Sequence, residues 1–299
     1  LLILVSITLN SIYQYKILSY TKQFIGFRKV ENILKNNSSS GVLKKGIRNI
    51  EDNKEFHRYA VSSKNRYQYN DSIVNGLNGV GYYFSMQNGY ISNYLYEMNN
   101  LDYRTNYKYR TLDDRTALNE LASVKYFVEE KENKYINKNL QNEISEYNLD
   151  KSDNIPYGYE KIKSINKNKR SFNIYENKYN LPLGYTYDNY ILRDEYDALN
   201  SVEKQEILLK GVLLEKQPYK INKSKINLDT KKIKYEFISQ NKNVQIIKDN
   251  EIRVNKKNAK IDLKFRGIEN AEMYLEFIKL NFKPTTKSKK YNKSNGTIY

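Results

Sequence analysis

Three pairs of adjacent acids, Asp113-Asp114, Glu129-Glu130 and Asp194-Glu195, are the residues of this chain best suited to acid–base chemistry. A two-carboxylate glycosidase site needs groups roughly 5 to 9.5 Å apart across a cleft. Adjacent side chains diverge on a helix and alternate faces on a strand, so all three pairs are expected to be solvated or capping residues. The only histidine, His57, allows neither a His-pair metal site nor a Ser–His nucleophile. It lies between Phe56 and Arg58 and is expected to be an ordinary strand residue. The chain has no cysteine, which excludes disulfides and thiolate metal ligands. Asn78-Gly79-Val80-Gly81 lacks the spacing of a nucleotide-binding loop. Taken by themselves, these residues point to no catalytic group, no cofactor and no metal.

Charge and aromatic rings offer binding chemistry instead. The formal net charge is +17, enough to attract nucleic acid, anionic lipid or phosphate-rich wall polymers. The same excess also fits a composition rich in Lys, Asn, Ile and Tyr, all with A/T-rich codons, and the two explanations stay open. The excess gathers at the two ends, in Lys16, Lys22, Arg28, Lys29, Lys35, Lys44, Lys45 and Arg48, and in Lys283, Lys287, Lys289, Lys290 and Lys293. Tyr90, Ile91, Tyr94, Leu95 and Met98 recur at helical spacing behind a capping Asn88. Such a stripe is core, interface or a stacking surface for sugars. The candidate polymer contacts are therefore Tyr90, Tyr94, Lys287, Lys289 and Lys290. No nucleic-acid-binding motif is present, and nucleic acid is not an expected partner.

The elements that must position these residues can be read in order. The 299 residues allow one large domain or two ordinary ones. Hydrophobic content is 39% and mean hydropathy −0.82, so a core is possible but the surface must be very polar. Residues 1–9, LLILVSITL, are expected to be the end of a transmembrane helix; a signal-peptide core and a buried strand are the alternatives. Residues 12–34 read as an amphipathic helix and residues 36–41 as a linker. A first strand covers residues 56–61, and a loop residues 70–81. A helix starts at Thr111-Leu112-Asp113-Asp114, with the acids in its first turn. Ala117, Leu118, Leu121 and Ala122 form its buried face, and Val124, Tyr126 and Val128 alternate as the next strand. Residues 129–153 form a polar excursion.

Pro156-Tyr157-Gly158 reopens the sheet, and residues 159–165 pair with 171–175 as a hairpin. Ser201 caps a helix with Ile207, Leu208, Gly211 and Val212 on one face, where Gly211 implies close packing. Beyond Pro218 the period changes from 3.6 to 2. Strands are expected around Ile233, Tyr235 and Phe237, at 244–247 and 251–254, and through Ala259, Ile261, Leu263 and Phe265. Residues 273–282 continue as a strand with a bulge between Phe277 and Ile278. Short strands with one polar face suggest a β-sandwich, expected to be incomplete at Tyr299, with exposed apolar residues among Leu275, Phe277, Ile278 and Leu280.

Residues 172–191, FNIYENKYNLPLGYTYDNYI, organise the rest. Phe172, Ile174 and Glu176 alternate as a half-buried strand, residues 177–180 turn, Pro182 holds Leu181 extended, and Gly184 is free to take a positive φ. Tyr185, Tyr187, Tyr190 and Ile191 make a returning strand, giving a core hairpin. This stretch resembles a segment of the YfhO family of bacterial membrane proteins. Three further blocks, in the same order, carry the resemblance: Asn70-Asp71 through Ser85 and Asn88, Leu118 through Phe127, and Glu269 through Leu275. Together they cover about residues 56–282.

The resemblance implies a parent that is a polytopic glycosyltransferase of the GT-C kind. Such a parent takes sugar from a polyprenyl-phosphate donor to modify teichoic acid in Gram-positive bacteria. It also implies that the bulk of this chain lies on the extracytoplasmic side. The expected catalytic carboxylate lies in an early external loop, so no catalytic residue carries over. Asn177, Leu181, Pro182, Gly184, Lys125 and Tyr126 match as fold residues. The implied partners are the parent's membrane domain and an anionic cell-wall polymer, with a structural brace or a polyanion-binding protein as alternatives. The expected architecture is α+β. Residues 1–15 end a transmembrane helix, 16–55 form a juxtamembrane helix and linker, 56–216 form a mixed sheet covered by helices, and 217–299 form the smaller, sandwich-like all-β domain.

Overall fold

The computed structural model describes Ser6 and residues 38–47, 55–62, 70–84, 86, 88–100, 108–109, 111–131, 155–167, 170–219, 226–239, 243–248, 251–256 and 260–276. The fold is mixed α+β, as expected, and divides into two compact units, residues 1–230 and 231–299.

The first unit is built on a four-stranded mixed sheet in the order β1-β4-β6-β5. Its strands are β1 (Arg58–Val61), β4 (Val124–Lys131), β5 (Tyr159–Lys167) and β6 (Arg170–Asn177). β1 runs parallel to β4, while β4–β6 and β5–β6 are antiparallel. The β5–β6 hairpin follows the expected pairing, with Ile165 opposite Phe172. Between β1 and β4 the chain makes α2 (Asp71–Asn75), β2 (Tyr82–Tyr83), α3 (Gly89–Glu97), β3 (Lys108–Tyr109) and α4 (Thr116–Leu121). After β6 come β7 (Tyr190–Leu192), α5 (Arg193–Asp197), α6 (Ser201–Lys210) and β8 (Val212–Leu214).

Both faces of the sheet are covered, because β4 and β6 carry apolar residues on both sides. Val42 and Leu43 of α1 (Ser39–Gly46) cluster with Tyr59, Tyr126, Val128, Phe172 and Ile174. Leu95, Met98, Leu118 and Ile207 cluster with Ala60, Phe127 and Tyr175 on the other side. Residues 172–175 of β6 are therefore buried on both faces rather than on one. The simple alternation expected for Val124, Tyr126 and Val128 also fails: Val124 shares a cluster with Phe127, and Tyr126 with Val128. The β1–β4 register shifts between Arg58 and Tyr59, and a bulge of one residue reverses which face follows.

Several boundaries differ from the sequence expectation. Residues 38–41, read as part of a linker, open a buried helix. Ser38 Oγ accepts from Gly41 N at 3.0 Å, and Asn75 Nδ2 donates to Ser40 Oγ at 2.9 Å. With their hydroxyls engaged, the serines can be buried beside Val42. Residues 71–75 form a short helix within the expected loop. Asp113 and Asp114 adopt φ of 59° and 54°, which a helix cannot contain, so α4 starts at Thr116 without first-turn acids.

The cap of α6 is Asn200, not Ser201. Asn200 Oδ1 accepts from Val202 N and Glu203 N, and Glu203 reaches back to Asn200 N. Gly211 lies beyond that helix in extended backbone, so it carries no helical penalty. A Cβ there would meet Asn189 O at 3.3 Å, where the backbone of Val212 bonds to Asn189. The hairpin expected within residues 172–191 is absent: β6 is flanked by β4 and β5, and β7 pairs in parallel with β8. Gly184 does not take a positive φ; among the described glycines Gly76 (+68°) and Gly158 (+80°) do.

The second unit is all-β where it is described. β9 (Tyr235–Ser239) pairs with β12 (Ile261–Phe265), and β10 (Val244–Lys248) with β11 (Glu251–Val254), both antiparallel. Leu263 lies opposite Phe237 and Phe265 opposite Tyr235, with Lys264 opposite Glu236 on the other face. Leu275 is exposed, while Ala259, Phe277, Ile278 and Leu280 lie outside the described residues. No helix among the described residues is long and apolar enough to cross a membrane. The stretch 1–9 lies outside them apart from Ser6.

Candidate functional site

The Tyr-bearing helix α3 forms as its spacing predicts. Asn88 Oδ1 accepts from Tyr90 N at 2.9 Å, capping the first turn. Leu95 and Met98 anchor it in the core. Its tyrosines then diverge. Tyr90 is 85% exposed, whereas Tyr94 packs against the core. Burial pushes the Tyr94 phenol up to about 12, with Arg115 opposing and Tyr185 reinforcing the shift. Tyr90 and Tyr94 thus sit one turn apart but do not form one stacking platform. Lys287, Lys289 and Lys290 lie outside the described residues.

In the stretch that precedes Tyr90, exposed apolar residues accumulate. Asn70 Nδ2 donates to Tyr83 O at 2.8 Å and Asn70 Oδ1 accepts from Tyr83 N at 3.0 Å, locking the start of α2 beside β2. Ile73 (75% exposed), Phe84 (59%) and Met86 (81%) stand out with Tyr83 and Tyr90. The sequence does carry a signal for this region: residues 72–96 contain no Asp, Glu, Lys, Arg or His in a chain that is 28% charged.

The acids have structural tasks. Ser62 Oγ donates to Asp114 Oδ2 at 3.3 Å, and Glu195 accepts from Leu192 N at the start of α5. Glu129, expected to be solvated, is buried between strands because Tyr175 Oη and Asn173 Nδ2 donate to it, at 2.9 and 3.1 Å. Glu206 is held below its ordinary value. Burial works to raise it, but donors from Asp229 N, Lys210 and Thr230 outweigh that. His57 behaves as a structural residue, its ring edge against Tyr126 with centroids 5.3 Å apart and Nδ1 near Glu55 O.

A set of phenols lines the interior. Burial raises Tyr109, Tyr187 and Tyr196, with neighbouring Tyr82, Tyr185 and Glu97, respectively, adding to it. All stay protonated near neutrality and can donate hydrogen bonds but not act as bases. Arg193 ties β7 and α5 to α3 through Glu97 at 3.2 Å and reaches Glu215 at 3.3 Å. Among the described residues no group of three or more His, Cys, Asp or Glu is placed to hold a metal.

Comparison with known proteins gives the context. Residues 1–297 match the family model described as bacterial membrane protein YfhO. The protein named "Uncharacterized protein YfhO" from Bacillus subtilis (strain 168) is 29% identical over 147 residues, covering 48% of this chain and 14% of that protein. No solved structure matches. With a family match spanning nearly the full chain, this protein belongs to the family of the bacterial membrane protein YfhO.

Proposed function

We propose that this chain is the extracytoplasmic portion of a polytopic membrane glycosyltransferase that modifies a cell-wall polymer such as teichoic acid, and that it acts as an accessory, acceptor-holding domain. Residues 1–9 are then the end of a transmembrane helix, and the second unit contributes one face of a β-sandwich. The observation that carries this role is membership of the YfhO family over residues 1–297. Support comes also from the placement of the acids, which serve caps, strands and ion pairs, and from Tyr90, whose exposed ring is open to stack on a sugar. Lys287, Lys289 and Lys290 supply cations for backbone phosphates.

The test is titration of the purified chain with teichoic acid across a salt series. Saturable binding at low salt that weakens on Tyr90→Ala is the expected result. Absence of saturable binding at low salt overturns the acceptor-holding role. A second role, a structural brace for the parent's membrane helices, draws support from the exposed apolar residues around Phe84. Deleting residues 56–282 from the parent separates the two: a brace predicts loss of the whole protein, an acceptor site a stable but inactive one. Nucleic acid is not a partner in either role.

A further inference from the structure

Exposed apolar side chains scattered singly need no explanation, but those of α2, β2 and the start of α3 fall within one short stretch of chain, tied at its head by the Asn70–Tyr83 bonds, and share a chemistry. Ile73, Tyr83, Phe84, Met86 and Tyr90 are all exposed, within a segment that carries no charge from residue 72 to residue 96. Burial does not account for that absence. Val80 and Leu95, with the partly buried Leu77 and Tyr94, supply the segment's core contacts, and the exposed positions are where Lys, Asn or Glu stand elsewhere in this chain.

Part of the segment is tied to its neighbours. Asn70 clamps Tyr83 on both its backbone groups, Tyr59 N donates to Asn78 O, and Val80 N donates to Tyr59 O. Tyr83 therefore projects from a backbone tied through both of its own groups.

The segment itself carries no cation, and the one paired with it is Lys108, opposite Tyr83 on β3, so phosphate contacts do not account for its exposed apolar side chains. The membrane–water interface fits better. Tyr rings with polar tips suit the headgroup level, and Phe, Met and Ile suit the acyl boundary beneath it. The net charge of +17 on the rest of the chain would draw this uncharged face toward an anionic leaflet. We propose that Ile73, Tyr83, Phe84, Met86 and Tyr90 form a membrane-seating face that dips into the interfacial layer of the bilayer. The proposal rests on membership of a membrane-protein family and not on the glycosyltransferase role. It places Tyr90 at headgroup level, where an acceptor polymer near the membrane would pass.

The chain has no tryptophan, so a single Trp reports its own surroundings. The full chain carrying Phe84→Trp is mixed with zwitterionic phosphatidylcholine vesicles, with Tyr219→Trp as the control at another exposed position (86%). The expected result is blue-shifted emission from F84W, quenched by lipids brominated along the acyl chain. Y219W should be unquenched, and adding Met86→Asp to F84W should abolish the effect while circular dichroism stays unchanged. Any binding through residues 1–9 leaves this contrast intact, because the readout is local depth. Three results would overturn the proposal. One is no quenching of F84W. Another is quenching only on anionic vesicles that disappears at high salt. The third is a concentration-dependent blue shift without vesicles, which would make the face a contact between copies. Teichoic-acid binding is measured separately, so failure of one role does not decide the other.

Discussion

Tyr175 Oη donates a hydrogen bond to Glu129 Oε2 at 2.9 Å between adjacent antiparallel strands, and Asn173 Nδ2 donates to the same oxygen. The β4–β6 register explains the meeting: Glu129 lies opposite Asn173 and Phe127 opposite Tyr175, so the three polar groups converge on one face. Truncating Glu129 to Ala removes their common acceptor inside the sheet. The expected cost is about 1–3 kcal/mol for stranding buried donors. Urea unfolding should show a lower midpoint with an unchanged slope, and E129Q should recover part of the loss.

Arg115 is buried where α3, α4 and α6 come together. It donates to Met98 O at 2.6 Å and to Gln205 Oε1 at 2.8 Å, with a longer contact to Ser201 O. A lysine keeps the charge but cannot reproduce the planar fork. Arg115→Lys should lower stability by roughly 1.5–3 kcal/mol, the range for hydrogen bonds to charged groups. The thermal melt of the variant, followed by far-UV circular dichroism, checks this.

Glu206 gathers Lys210, Thr230 and the backbone N–H of Asp229, pinning residues 229–230 to α6. Its lowered pKa means the folded state holds the carboxylate more readily than the unfolded chain. That stability is fully present above the unfolded value of about 4.3 and is lost as pH falls through the lower folded value. Lys210 has the opposite sign. Burial works against its charge, but Asp229 and Glu206 raise it overall. Its contribution is present below the unfolded value of about 10.4 and disappears only as pH rises through the higher folded value. Wild type should therefore lose more denaturant resistance between pH 6 and pH 3 than Glu206→Gln, the difference opening below about pH 4.3.

Gly158 takes φ of +80° in the turn that enters β5, with the Tyr179 ring lying where a Cβ would go. Gly158→Ala should cost about 1–2 kcal/mol from the left-handed backbone. The clash with Tyr179 adds to it, so G158A with Tyr179→Ala should destabilise less than the two single variants together. Thermal melts of the three variants test the coupling.

What the sequence by itself determined is local. The alternation in residues 159–165 and 171–175 gave the β5–β6 hairpin, and the spacing from Tyr90 to Met98 with Asn88 in front gave α3 and its cap, because each signal lies within a few residues of what it specifies. The ordered blocks were also enough to name the family. The tertiary structure alone decided the rest. The parallel β1–β4 pairing, the bulge that parts Val124 from Tyr126, and the burial of Glu129 all depend on partners distant along the chain. Ser38 and Ser40 read as linker until Asn75, 35 residues beyond Ser40, satisfies their hydroxyls. Tyr90 and Tyr94 look equivalent in spacing, yet one ring meets solvent and the other meets the core formed beneath Leu95 and Met98. Periodicity states which side chains share a helix face, but how far along that face the core extends is set by what packs against it.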